Sequence, residues 1–172
     1  MKFDFPQVDI PCEILAWNDV TEDILNIYKQ SCRLKAGIFA ICTEGKMTAT
    51  INLIDYEIKP NDLITLLPGT IIQFRERTEK VRLCFAGFSS ECVERINLIK
   101  SMVSSFSKIT ECPIVELQED IASYLIDYFS LLARVTCDEK LSLPSEMTEV
   151  SLRSILAAVG LIYQRYSSKN HN

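Results

Sequence analysis

The sequence predicts an α+β fold: an antiparallel β-barrel or sandwich followed by about three α-helices. Two observations carry this. In the first half, short apolar runs are punctuated by turn residues about every 8–12 positions, the pattern of a small all-β layer. After about residue 89 the apolar period changes from two to the i, i+3, i+4 spacing of helices. A chain of 172 residues, 48% apolar and 24% charged, has the length and composition for a buried core. Its mean hydropathy of +0.12 is high for a soluble chain, which implies apolar surface hidden in a cavity or a subunit interface.

The elements follow in order. Cys12–Trp17 and Ser31–Leu34 read as edge strands. Gly37–Thr43 is a short apolar run, and Glu44-Gly45-Lys46 is a turn signal. In the next run Met47, Ala49, Ile51 and Leu53 alternate with Thr48, Thr50 and Asn52, so the two runs read as a hairpin. Asp55–Lys59 alternates again, and Pro60-Asn61-Asp62 opens a turn. Asp62–Leu67 is an apolar strand stopped by Pro68-Gly69. Thr70–Arg77 and Val81–Phe88 are two more strands, joined by Thr78-Glu79-Lys80. Ser89-Ser90 can cap a helix whose start Glu91 and Glu94 favour, running to about Val103, with a loop after it. Leu117, Ile121, Tyr124, Tyr128, Leu131 and Val135 form one helical stripe, widened by Leu125, Phe129 and Leu132. The last helix spans about Ser145–Tyr166, with Pro144 suited to its first turn. The closing SSKNHN is polar and reads as a tail.

Charge and composition exclude several functions. The net charge is −5, with no uninterrupted basic helix, so these residues lack an electrostatic footprint for nucleic acid. Asp4 and Pro6 interrupt the N-terminal stretch where a signal peptide is continuously apolar. The uncharged apolar run Ser154–Gln164 is far shorter than a membrane span. A cytoplasmic protein without a membrane partner is expected. The seven cysteines are odd in number and contain no CxxC pair, so they read as free thiols in the core. His171 is the only histidine, at the end of the chain. No Ser-His-Asp triad, Cys-His dyad or multi-histidine metal site can be built from it. No catalytic residue, metal ligand or cofactor is therefore assigned.

Candidate binding residues come from strand parity. Met47, Ala49 and Ile51, Ile64 and Leu66, Ile72 and Phe74, and Leu83 and Phe85 form apolar faces. They could line a ligand cavity or pack as a filled core, and parity does not choose between the two. Among the interleaved charges Arg75, Glu76, Arg77, Glu79, Lys80 and Arg82, an arginine could point inward toward an anionic effector; Arg75 and Arg33 are the candidates. On the last helix Leu152, Ile155, Val159, Ile162 and Tyr166 repeat at spacings of 3, 4, 3 and 4, a seam for a partner helix, with Tyr163 beside it. A homodimer through this helix is expected.

The stretch from Gly37 to Glu76 resembles the N-terminal cupin-like domain of AraC-type transcription regulators. The Gly45 turn, the Tyr56-x-x-x-Pro60-Asn61-Asp62 segment, Leu67-Pro68-Gly69 and Cys84–Phe88 leading into Ser89-Ser90 carry the resemblance. It implies a cupin-like, jelly-roll-type barrel over residues 1–88, a helical dimerisation segment packed on it over 89–168, and a tail or linker stub at 169–172. It further implies a small-molecule effector in the barrel, a homodimer, and DNA contact only through a C-terminal helix-turn-helix domain that would follow. Metal-binding cupins use histidines before the first turn and after the Pro-Gly turn. Here those places read Ser31-Cys32-Arg33-Leu34 and Thr70-Ile71-Ile72-Gln73, so binding without metal is expected. The alternatives are a stand-alone cupin-type isomerase or oxygenase, or a stand-alone small-molecule-binding protein. An acid–base enzyme would need paired carboxylates on strands, whereas Glu44, Asp55, Glu57 and Asp62 fall mostly at turns.

Overall fold

Successive strands of this chain alternate between two facing sheets, and the turns between them are the corners of the fold. The computed structural model describes residues 5–17, 26–78, 80–97, 103–137 and 143–170. The outer sheet has the order β1 (Gln7–Val8), β3 (Cys32–Leu34), β8 (Ile71–Arg77), β5 (Met47–Ile51), β6 (Ile54–Ile58). The central sheet has the order β10 (Ile114–Glu116), β7 (Asp62–Leu66), β4 (Gly37–Glu44), β9 (Arg82–Phe88), β2 (Ile14–Trp17). Every pairing is antiparallel except β1 with β3. The α+β class and the antiparallel strands match expectation. The closed barrel does not: each sheet ends in its own edge strands, and among the described residues no ladder of hydrogen bonds joins one sheet to the other.

The expected hairpin of Gly37–Thr43 with Met47–Leu53 is also absent, because β4 and β5 belong to different sheets. Gly45 sits at φ +81°, and a Cβ there would lie 1.9 Å from the carbonyl oxygen of Lys80. Only glycine allows that approach. Lys46 and Thr78 exchange backbone hydrogen bonds or side-chain equivalents across the same corner. The actual hairpin is β5–β6, turned by Asn52 and Leu53, both with positive φ as a type I′ turn requires. Leu53 is exposed as a result, not a strand residue. At the β6–β7 corner Asn61 takes φ +73°, and the Asp62 carboxylate accepts the Lys59 N–H at 2.9 Å.

The central sheet is buried on both faces. Phe39 and Ile41 of β4, Leu63 of β7, and Cys84, Ala86 and Phe88 of β9 join one core with the helices. Ala40 and Cys42, Ile64 and Leu66, and Leu83 and Phe85 join a second core with the outer sheet. This is why these strands read as continuous apolar runs.

Four helices lie among the described residues: α1 (Ser90–Arg95), α2 (Val103–Glu111), α3 (Glu119–Cys137) and α4 (Ser145–Asn170). Ser89 caps α1 by accepting the Cys92 N–H. The helix expected to reach Val103 ends instead at Arg95, and Asn97 follows at φ +52°. α2 then forms where a loop was expected. β10 was not anticipated either; it leaves the helical half to complete the central sheet, so the halves drawn at residue 88 share a sheet. α4 continues through Ser167–Asn170, where a tail was expected, and His171 lies outside the described residues.

The α3 stripe is rotated from expectation, and the α4 stripe faces inward. On α3 the buried residues are Ala122, Leu125, Phe129, Leu132 and Ala133, while Tyr124 and Leu131 are exposed. On α4 Leu152, Ile155, Val159 and Tyr163 are no more than 1% exposed within the single chain, and Ile162 packs against the same core. The Tyr163 hydroxyl donates to the Cys112 carbonyl at 2.6 Å, fixing the helix inward. These side chains face the chain's own interior and not a partner helix; the side chain of Tyr166 lies outside the described residues. Ile155→Glu with Val159→Glu therefore places two uncompensated charges in a core, at several kcal/mol each. The double variant should lose its cooperative thermal transition by circular dichroism. A folded protein with an ordinary transition would contradict this placement.

Candidate functional site

Between the sheets lies a cavity of about 120 Å³. One wall is the inner face of the central sheet: Leu15 of β2, Ile38 and Ala40 of β4, Ile64 and Leu66 of β7, and Leu83, Phe85 and Gly87 of β9. The facing wall is Val8 of β1 with Ile72 and Phe74 of β8. Asp9-Ile10-Pro11 and Ile27-Tyr28 complete the lining. Small residues open the space. A Cβ added at Gly87 would meet Ile10, Leu15 and Ile38 only at 3.7 Å, ordinary contact distance.

Of the residues singled out by parity, Ile64, Leu66, Ile72, Phe74, Leu83 and Phe85 line this cavity. Met47, Ala49 and Ile51 are buried in the same inter-sheet core but outside the lining. Arg75 is not inside. It follows the inward Phe74, so the pleat turns it out, where it lies 3.5 Å from Asp55 and 3.5 Å from Thr50. Arg33 donates to the Gly69 carbonyl at 3.0 Å and is no part of the lining. The expectation of an inward arginine meeting an anion is thus corrected. Parity missed Ile38 and Ala40, because both faces of β4 are apolar. It missed Ile10, Ile27 and Tyr28 because they lie outside the strands whose parity was read.

The lining holds two side chains with strongly polar groups. The Asp9 carboxylate accepts from the Ser90 N–H at 3.2 Å, the Ser90 hydroxyl at 2.5 Å and the Ile10 N–H at 2.9 Å, which ties it to the start of α1. Tyr28 places its ring 5.5 Å from Phe74 in an edge-to-face contact, and its carbonyl accepts the Phe74 N–H at 2.7 Å. Burial pushes the Tyr28 phenol up to about 12, with the neighbouring Cys32 adding to the rise, so it is a neutral donor at physiological pH.

The segment after Asp9 reaches both the cavity and the helices. Glu13 lies 2.6 Å from Arg95 of α1 and accepts from the Ser145 hydroxyl of α4. Its carbonyl accepts the Ser89 N–H at 3.0 Å. Arg95 also holds Glu149 of α4 at 3.0 Å. The Arg95 hydrogen bond, more than any other contact, holds the Glu13 carboxyl below the usual range. One short stretch, residues 9–13, is therefore hydrogen-bonded to α1 and α4 while lining the cavity.

Chemistry other than binding finds little material here. Burial pushes the Cys42 and Cys84 thiols up to about 11, which keeps them protonated and weakly nucleophilic at neutral pH. Glu44 pairs with Arg82, Asp55 with Arg75, and Asp62 closes its turn, so none of the three meets a second carboxylate in the cavity. Among the described residues no three His, Cys, Asp or Glu side chains are grouped to hold a metal ion. No helix among them is long and apolar enough to cross a membrane.

The fold is a two-sheet sandwich with a helical cover and a cavity between the sheets. No family model and no curated protein matches the chain. Among solved structures it is similar to ToxT from Vibrio cholerae at 10% identity and a TM-score of 0.40, covering 93% of this chain and 54% of that one. It is also similar to CuxR, described as an AraC-like transcriptional activator, at 9% identity and a TM-score of 0.41, covering 85% of this chain and 47% of that one. An apo ToxT variant from Vibrio cholerae gives 12% identity and a TM-score of 0.42, covering 91% and 55%. The chain spans about half the length of each.

Proposed function

We propose that this chain is the effector-sensing domain of an AraC-type transcription regulator, a cytoplasmic binding module and not an enzyme. A small molecule occupies the inter-sheet cavity without a metal. The observation that carries the reading is the shared segment: Asp9-Ile10-Pro11 lines the cavity, while Asp9 and Glu13 bind α1 and α4. Occupancy that shifts this segment also shifts its helix contacts, which is what a sensor needs. The sequence resemblance supports the same assignment. In this reading DNA contact belongs to helix-turn-helix units elsewhere in the regulator. A cupin-type isomerase or oxygenase is less well supported, since Asp9, the one carboxylate among the described lining residues, is engaged by Ser90 and the Ile10 N–H.

The reading keeps the homodimer but moves its surface. Met147, Val150, Ser154, Ala157 and Leu161 form an exposed stripe on α4 at spacings of 3, 4, 3 and 4, opposite the buried one. Met147, Val150 and Leu161 are each about half exposed or more. Val150→Glu with Leu161→Glu should give a folded monomer by light scattering where the parent chain is a dimer. An unchanged dimer would place the interface elsewhere.

A thermal-shift screen of sugars, organic acids and aromatic metabolites tests the cavity. A ligand at 100 times its dissociation constant adds ~2.7 kcal/mol to the native state, a rise of roughly 5–10 °C at this size. Ala40→Leu fills the cavity from β4 and should fold while abolishing that rise. A stabiliser that acts equally on the variant would remove the cavity from the account.

A further inference from the structure

We infer that the molecule this cavity takes is uncharged and largely apolar, with one hydrogen-bond acceptor engaged by the Tyr28 hydroxyl; this rests on the cavity being the ligand site proposed above. The charge argument comes from the lining. Among the described residues no Lys, Arg or His lines the cavity. A carboxylate or phosphate entering it would lose its hydration with no counter-charge, which is among the largest penalties available in an apolar interior. The two arginines expected to face inward are both engaged outside it, Arg75 by Asp55 and Thr50, Arg33 by Gly69. A cation fares little better. Asp9 is the only charged lining residue among those described, and its carboxylate already takes the Ser90 N–H and hydroxyl. A cation pairing with it would share a carboxylate that already anchors α1.

Tyr28 supplies the polar handle. Its ring is fixed by Phe74 and its backbone by the Phe74 N–H, yet among the described residues its hydroxyl has no hydrogen-bond partner. It remains protonated throughout the physiological range, so it offers a donor and calls for an acceptor such as a carbonyl, ether or hydroxyl oxygen. An apolar cavity with one convergent polar group is the arrangement that orients a small ligand. The space suits a single ring: an engineered apolar cavity of ~150 Å³ takes benzene.

Four probes on one ring test this, with dissociation constants from NMR titrations of the protein's methyl resonances. The probes are acetophenone, ethylbenzene, benzoate and benzylammonium at neutral pH. Acetophenone should bind tightest, ethylbenzene about five- to tenfold more weakly for want of the hydrogen bond, and both ions at least about tenfold more weakly. Tyr28→Phe keeps the ring contact and should bring acetophenone to the ethylbenzene level without changing ethylbenzene. Benzoate or benzylammonium binding as tightly as acetophenone, or no effect of Tyr28→Phe, would overturn the inference and leave the cavity as the site. Binding by none of the four, or binding that Ala40→Leu does not disturb, would overturn the cavity as the site and the inference with it.

Discussion

A sheet that is apolar on both faces cannot stand at a surface, and β4, β7 and β9 make such a sheet. Each buried Leu, Ile or Phe contributes about 1.5–3 kcal/mol relative to exposure. Phe39, Ile41, Leu63 and Phe88 on one face alone approach the ~5–15 kcal/mol that separates a typical domain from its unfolded state. Neither face can be left open. The outer sheet covers one and the helices cover the other. The N-terminal segment, the corner turns and the α2–β10 excursion are the connections that place those covers.

The two covers differ in what they leave behind. On the helix side Phe39, Phe88, Phe129 and Tyr163 fill the space, and the Tyr163 hydroxyl is matched to Cys112. On the outer-sheet side Ala40 and Gly87 leave the central sheet thin, and β1 and β3 are only two and three residues long. The void lies there. It borders residues 9–13, whose carboxylates hold α1 and α4, so the cavity adjoins a charged joint between the N-terminal segment and the helices.

Much of this was legible in the sequence, and the failures have physical causes. Strands β4 to β9 fall within a residue or two of their expected bounds because turn residues mark both ends. Their partners were misread at Glu44-Gly45-Lys46, since a turn signal does not say whether the chain folds back in one sheet or crosses to another. Parity located Phe74 and Phe85 in the lining and should also have turned Arg75 outward. Tyr28 was invisible, because a residue on an irregular segment takes its meaning from what it faces. The α4 stripe was correctly grouped by period, but a helix with apolar residues on two sides does not declare which side meets its own core. The exposed Met147, Val150 and Leu161 are the second side.

The central claim is that the space between the two sheets is open and apolar. Crystals pressurised with xenon test it most directly, because xenon settles in apolar voids. The account predicts one strong xenon site among Ala40, Leu66, Phe74 and Phe85 in the parent chain and its loss in Ala40→Leu. An empty inter-sheet space, or xenon lodged instead between Phe39, Phe88 and Phe129 on the helix side, would contradict it.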